Sequence, residues 1–373
     1  MNLYSILLFF IIGSYTFVIS CTGQPSIRTV DGPEDEGVLK TAKGHIIMEE
    51  TTVEPNQTLR REMVAIYLPE LKKQVIQNRS GKEGIHAIAG PDTKGCIVYV
   101  KNDMMAQKHS LKMTDLNSSM DVVIFERSGD AIWERVIGHD IALSPSGEKV
   151  AFVGKHQTLN IDSHKRLGFL IDYGPLEVWL VEAKTPLKTN VHAVDRGMSW
   201  FPDNNRLAYT TLLPRSRIFQ EQPSQEISEE FDNWDRIPAV MVFDLSAGTS
   251  HFLHVGWGPV VSLDGRSVLV SDVKKQHWLV DVETRQPRQI SWPGDWDSAV
   301  ISFVGENLIL YFGPPTTGSE LQWTTRNSPF VGSKLMRTLK VADLQSGKFK
   351  TVLSPADPRM QVSFGRVASS QKK

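Results

Sequence analysis

One short pattern returns along this chain: a strand, a tight turn and a second strand. It is clearest at residues 139–153 (HDIALSPSGEKVAFV), 197–210 (GMSWFPDNNRLAYT) and 260–270 (VVSLDGRSVLV), with weaker copies at 85–100 and 299–311. The turn chemistry explains the recurrence. Proline pre-sets φ at the second turn position, and glycine or asparagine tolerates the positive φ needed where the chain reverses. Each pair is followed by another apolar strand, at 176–182, 239–245, 277–282 and 337–343. Turns at 246–248 and 345–347 then lead into a fourth strand. Amphipathic helical stretches are nearly absent, so the body from residue 44 onward reads as all-β.

Taking Pro91, Pro145, Pro202, Leu263 and Val304 as equivalent turn positions, the spacings are 54, 57, 61 and 41 residues. Four strands per unit plus variable insertions suit the blade of a β-propeller. Five units are complete. The sixth is divided: residues 360–367 resemble a lone innermost strand, while 45–52, 63–68 and 73–77 are three strands lacking a first one. Joining them closes a ring and removes two exposed sheet edges. The expectation is a six-bladed β-propeller of four-stranded antiparallel blades, closed by a C-terminal strand in the N-terminal blade.

Ser144-Pro145-Ser146-Gly147 with Val150-Ala151-Phe152, and Phe201-Pro202-Asp203 with Leu207-Ala208-Tyr209, resemble the TolB-type propeller repeat. Asp244, Asp281 and Asp343 stand where that repeat has an aliphatic-Asp strand end. The resemblance covers most of residues 44–367 and implies six blades. In TolB itself it accompanies a periplasmic protein-binding role. TolB also carries an N-terminal domain for which this chain has no room, so that role is not carried over.

Residues 3–19 (LYSILLFFIIGSYTFVI) have the length and texture of a signal-peptide core or a short membrane anchor. Val18-Ile19-Ser20-Cys21 resembles the lipobox of bacterial lipoproteins, in which the cysteine sulfur takes a diacylglycerol and the chain is cut before it. This resemblance implies a signal peptide over 1–20 and lipidation of Cys21. Thr22, rather than an aspartate, then leans towards an outer membrane. The n-region Met1-Asn2 holds no Lys or Arg, and two alternatives stand: ordinary secretory cleavage, or an uncut anchor. Residues 21–43 read as a flexible tether, and 44–373 as the propeller.

Lys+Arg of 41 against Asp+Glu of 42 leaves no basic excess, which argues against nucleic acid as a partner. No Gly-x-Ser-x-Gly elbow, His-Glu-x-x-His or phosphate-cradling loop occurs. No catalytic residue, cofactor or metal ligand is therefore assigned. Cys96 reads as a core residue of a buried strand. His251 and His254 should face opposite sides of a strand. His45, His86 and His139 fall near strand starts, from which they could point towards the central channel.

In a propeller the loop between strands two and three shares a face with the loop between blades. The long insertions 155–175, 213–238 and 313–334 all take that position and crowd one face. Arg215, Arg217, Trp234, Trp323, Arg326 and Phe330 lie in them and are the candidate partner-binding residues. Two functions follow: an envelope-tethered, non-catalytic scaffold that binds a protein or peptide there, or a carbohydrate-binding, hydrolytic or lyase propeller using the central channel.

Overall fold

The computed structural model describes residues 34–53, 59–80, 85–103, 108–128, 137, 140–154, 157–161, 169–195, 197–222, 227, 234–272, 276–290, 299–313, 337–356 and 362–365. They form six antiparallel sheets arranged as a six-bladed propeller. Blade 1 holds β1 (Gly44–Val53), β2 (Leu59–Leu68) and β3 (Lys72–Ser80). Blade 2 holds β4 (Ile85–Ala89), β5 (Cys96–Asp103), β6 (Lys108–Asp115) and β7 (Ser118–Ser128). Blade 3 is built on β8 (Ile141–Leu143), β9 (Lys149–Val153), β10 (Gln157–Ile161), β11 (Phe169–Leu180), β12 (Thr185–Leu187) and β13 (His192–Val194).

Blade 4 holds β14 (Met198–Trp200), β15 (Arg206–Pro214), β16 (Arg236–Asp244) and β17 (Thr249–Val255). A short helix, α1 (Arg215–Glu221), follows β15. Blade 5 holds β18 (Trp257–Val261), β19 (Ser267–Ser271), β20 (His277–Asp281) and β21 (Pro287–Ile290). Blade 6 holds β22 (Ala299–Phe303), β23 (Leu308–Gly313), β24 (Arg337–Asp343) and β25 (Phe349–Ala356). The last strand, β26 (Val362–Gly365), pairs with β1 from His45↔Gly365 to Met48↔Val362 and completes blade 1. The ring closes as the divided sixth unit predicts.

The core lies in the seams between blades, and strand alternation distributes it. Along β16, Ala239, Met241 and Phe243 pack towards blade 3, while Val240 and Val242 pack towards blade 5. Both faces of such a strand are buried, so it reads as a continuous apolar run rather than an alternating one. The other seams have their own apolar clusters, among them Ile47, Ala65, Ile97 and Tyr99 between blades 1 and 2.

Three local expectations need correction. The insertion 155–175 is not simply a loop: β10 pairs with β11 from Gln157↔Tyr173 to Ile161↔Phe169, and β13 pairs with Tyr173 to Pro175. The 21–43 tether does not extend to residue 43. From Glu34 the chain lies on blade 6, bridging Phe349 in parallel, and turns through a 3-10 helix at Glu36–Thr41 capped by the Asp35 side chain. Val38, Leu39 and Ala42 are buried between blades 6 and 1, against Leu308, Leu339, Ile46 and Ile66. Lys348 pairs with Asp35 at 2.8 Å, and Lys350 with Glu34 and Glu36 at 3.3 and 2.5 Å. Two apolar residues in a polar run were the only sign of this strap.

His251 and His254 also differ from expectation. Pairing slips between Val240 and Met241, and Leu253 is the residue left over. His254 therefore pairs with Val240 and His251 with Val242, two residues of one face, and both histidines lie on the blade 5 side.

Candidate functional site

The meander gives the ring two unlike faces. Turns between strands one and two, and between three and four, gather on one face, called here the turn face. Turns two-to-three and the crossings between blades gather on the other, the loop face.

The turn face is made of short turns that satisfy themselves. The Ser144 hydroxyl accepts from Lys149 N and the Ser262 hydroxyl from Ser267 N, each at 3.0 Å. The Asp92 carboxylate accepts from Lys94 N and Cys96 N, both at 2.8 Å. In the third-to-fourth turns the aspartates singled out in the sequence do the same. Asp244 accepts from the Ser246 hydroxyl, Ala247 N and Asn205 Nδ2, which hold its carboxyl down at about 2. Asp281 accepts from Thr284 N at 2.7 Å, and Asp343 from Gln345 N at 2.8 Å. The repeated aspartate is thus a turn device: it closes the strand end by satisfying main-chain N–H groups. Neighbouring turns are also knitted, as by Thr93 N to Pro145 O at 3.0 Å and Ser146 N to Asn204 Oδ1 at 2.8 Å. A cavity of about 550 Å³ between blades 5 and 6 is lined by Thr41, Asp264, Glu306 and Asp343.

The loop face carries α1. Ile218 is fully buried in the seam between blades 3 and 4, with Leu212, Ile237 and Trp234. It pins the helix down while Arg217 and Phe219 stay outside. Phe219 is 40% exposed, and the other large apolar side chains exposed to this degree among the described residues are valines. Arg217 reaches Glu221 at 3.2 Å, and Arg215 is half-buried. Trp234 is 7% exposed and belongs to the core, so it fastens the insertion to the blade instead of facing solvent. Trp323, Arg326, Phe330 and Cys21 lie outside the described residues. Phe219 was missed because one phenylalanine in a seven-residue helix carries no sequence signal of its exposure.

Nearer the channel, between blades 3 and 4, the Asp195 carboxylate accepts from Asp140 N at 3.2 Å, and Asp140 accepts from Gly197 N. Tyr173 stacks on His192 with ring centres 5.6 Å apart, and the Thr211 hydroxyl donates to His192 O at 2.8 Å. His45 does not reach the channel from an inner strand: it sits on β1, second from the axis, edge-on to Tyr67. His86 is in the inner strand β4, and His139 lies outside the described residues. Cys96 opens β5 half-buried rather than in the core.

A polar cluster unmarked in the sequence fastens the loop-face end of blade 5. The Ser271 hydroxyl meets His277 Nδ1 at 2.9 Å across the β19–β20 pair, and Trp278 Nε1 donates to Asp272 at 3.0 Å. His254 packs on the Trp278 ring and contacts Val255 O through Nδ1 at 2.7 Å. His277 is 3% exposed, and burial pushes its pKa down to about 4, so the imidazole is neutral near pH 7. Among the described residues no group of three or more His, Cys, Asp or Glu side chains is placed to hold a metal ion.

Fold and faces define a six-bladed propeller with a self-satisfied turn face and an elaborated loop face. Its fold is that of a TolB-like propeller. TolB from Acinetobacter baumannii superposes with a TM-score of 0.53 at 12% identity, covering 87% of this chain and 67% of that one. A chain assigned as TolB from Agrobacterium tumefaciens gives 0.47 at 14% identity, covering 87% and 98%. An oligogalacturonate lyase in complex with manganese gives 0.44 at 13% identity, covering 83% and 74%. No protein-family model and no curated protein matches the sequence.

Proposed function

We propose that this protein is an exported recognition scaffold, held at a membrane through Cys21, that binds a protein or peptide partner on its loop face. The observation that carries this reading is the inequality of the faces. Turn-face aspartates are committed to their own turns, whereas the loop face carries the insertions and presents Arg217 and Phe219 on a helix anchored from beneath by Ile218. An exposed aromatic beside an arginine on a rigid support is the composition of interface hot spots. The apolar run before Cys21 supports export, and the lipobox-like Val18-Ile19-Ser20-Cys21 supports a lipid anchor, with an outer membrane favoured.

The test is affinity capture from crosslinked envelopes with the wild type and an Arg217→Ala/Phe219→Ala variant, both checked for folding by thermal denaturation. Partners captured by the wild type should be reduced at least about tenfold with the variant, the loss of one hot spot. Equal capture by a folded variant would sink the assignment of this face. Metabolic labelling with a fatty-acid analogue should mark the wild type and not Cys21→Ser, and equal labelling rules out lipidation there.

A further inference from the structure

The N-terminal strap fixes where the chain joins the body. Glu34 and Asp35 meet Phe349 at the start of β25, beside the turn at 344–348. Thr41 lines the cavity with Asp264, Glu306 and Asp343, all in turns of the turn face. β1 then begins at Gly44, opposite Leu68, beside the same face. The final strand reaches that side too, where Gly365 lies against Pro91 of blade 2. Both ends of the described chain therefore meet the propeller at the turn face, and α1 lies at the opposite end of β15.

We infer that the anchor holds the turn face towards the bilayer and presents the loop face, with Arg217 and Phe219, away from it. This rests on the lipid anchor proposed at Cys21. Thirteen peptide steps separate Cys21 from Glu34 and span at most about 45 Å. The longest blade 4 strands have nine residues, so the ring is roughly 30 Å deep. With the turn face down, the link can adopt almost any conformation. With the loop face down, it must first run the depth of the rim, which leaves few conformations and costs entropy. The strap makes the preference firm, because its ion pairs and buried Val38 and Leu39 keep residues 34–42 from adding to the link.

The test uses the full-length lipidated protein, purified and reconstituted in phosphatidylethanolamine–phosphatidylglycerol vesicles containing a headgroup-quencher lipid. In a Cys96→Ser background, single fluorophores are placed at two pairs of exposed positions. Ala247→Cys and Glu283→Cys report the turn face of blades 4 and 5, and Gln220→Cys and Gln276→Cys the loop face of the same blades. Quenching is expected to be at least about threefold stronger at 247 and 283, since contact-range quenching falls off well within the depth of the ring. Equal or reversed quenching on vesicles that float with the protein overturns the orientation while leaving the anchor standing. Protein that fails to float overturns the anchor, and the orientation with it.

Discussion

The guanidinium of Arg127 meets both carboxylate oxygens of Glu177, at 2.7 and 2.6 Å, across the seam between blades 2 and 3. Trp179 Nε1 donates to the same carboxylate at 3.0 Å, and the Trp179 ring stacks on Phe125 with centres 4.2 Å apart. Arg127 lies over both rings. The fork-on-fork geometry fixes one orientation, and the rings shield it from water. Both charges remain partly exposed, which limits the strength of the pair. In a double-mutant cycle of Arg127→Ala and Glu177→Ala, denaturant unfolding should give a coupling of about 1 kcal/mol. A coupling near zero would show that the ion pair adds nothing to this seam beyond its apolar packing.

The seam is locked a second time on the turn face. Gly147 has φ +75°, and a Cβ there would stand 1.8 Å from Asp92 Oδ2, whose carboxylate is tethered by two N–H groups. Gly147→Ala should therefore cost about 2 kcal/mol or more, from backbone strain and a clash with a group that cannot move. Gly248 has a similar φ of +67° with nothing within 4 Å. Gly248→Ala should cost only about 1 kcal/mol, the backbone share alone. Chemical denaturation of the two variants side by side checks this, and equal losses would contradict it.

The strap is a second closure of the ring, outside the four-residue pairing of β26 with β1. Leu39 is 3% exposed, so Leu39→Ala should destabilise the protein by about 2–4 kcal/mol. Hydrogen exchange should quicken in β25 and β26 before the blade 4 strands. A uniform increase over all blades would mean that the strap contributes to global stability without guarding this seam.

Acid should loosen blade 5. An ordinary histidine titrates near 6.5, and His277 in the fold near 4. Between these values the unfolded chain binds a proton that the folded chain refuses. Stability should therefore fall as pH drops through that window, by up to about 3 kcal/mol, and this contribution should level off below it. Burial also lowers His254, which adds in the same direction. Urea midpoints measured from pH 7 to 4 should show a shallower slope for His277→Asn than for the wild type. An identical slope would place the acid sensitivity elsewhere.

Much of this architecture could be read from the chain because a blade is a local object. Successive strands pair with sequence neighbours, and the turn residues that permit it recur in several blades, Ser144 and Gly147 as Ser262 and Gly265, and Asp244 as Asp281 and Asp343. Closure was legible too, because a lone strand at one end and three at the other leave a single economical pairing. The candidate site was less legible. Trp234 and Phe219 are both aromatic residues of one insertion, yet one is core and the other exposed.

The amino-acid order by itself determined the all-β class, the six units and the ring closure, since these depend on alternation and contacts close in sequence. Only the tertiary structure decided that Val38 and Leu39 plug a seam, that a bulge turns His251 and His254 to one side, and that Arg127 clamps Glu177. Those outcomes depend on which surfaces meet across blades, where partners are tens to hundreds of residues apart and burial, rather than residue type, selects the neighbour.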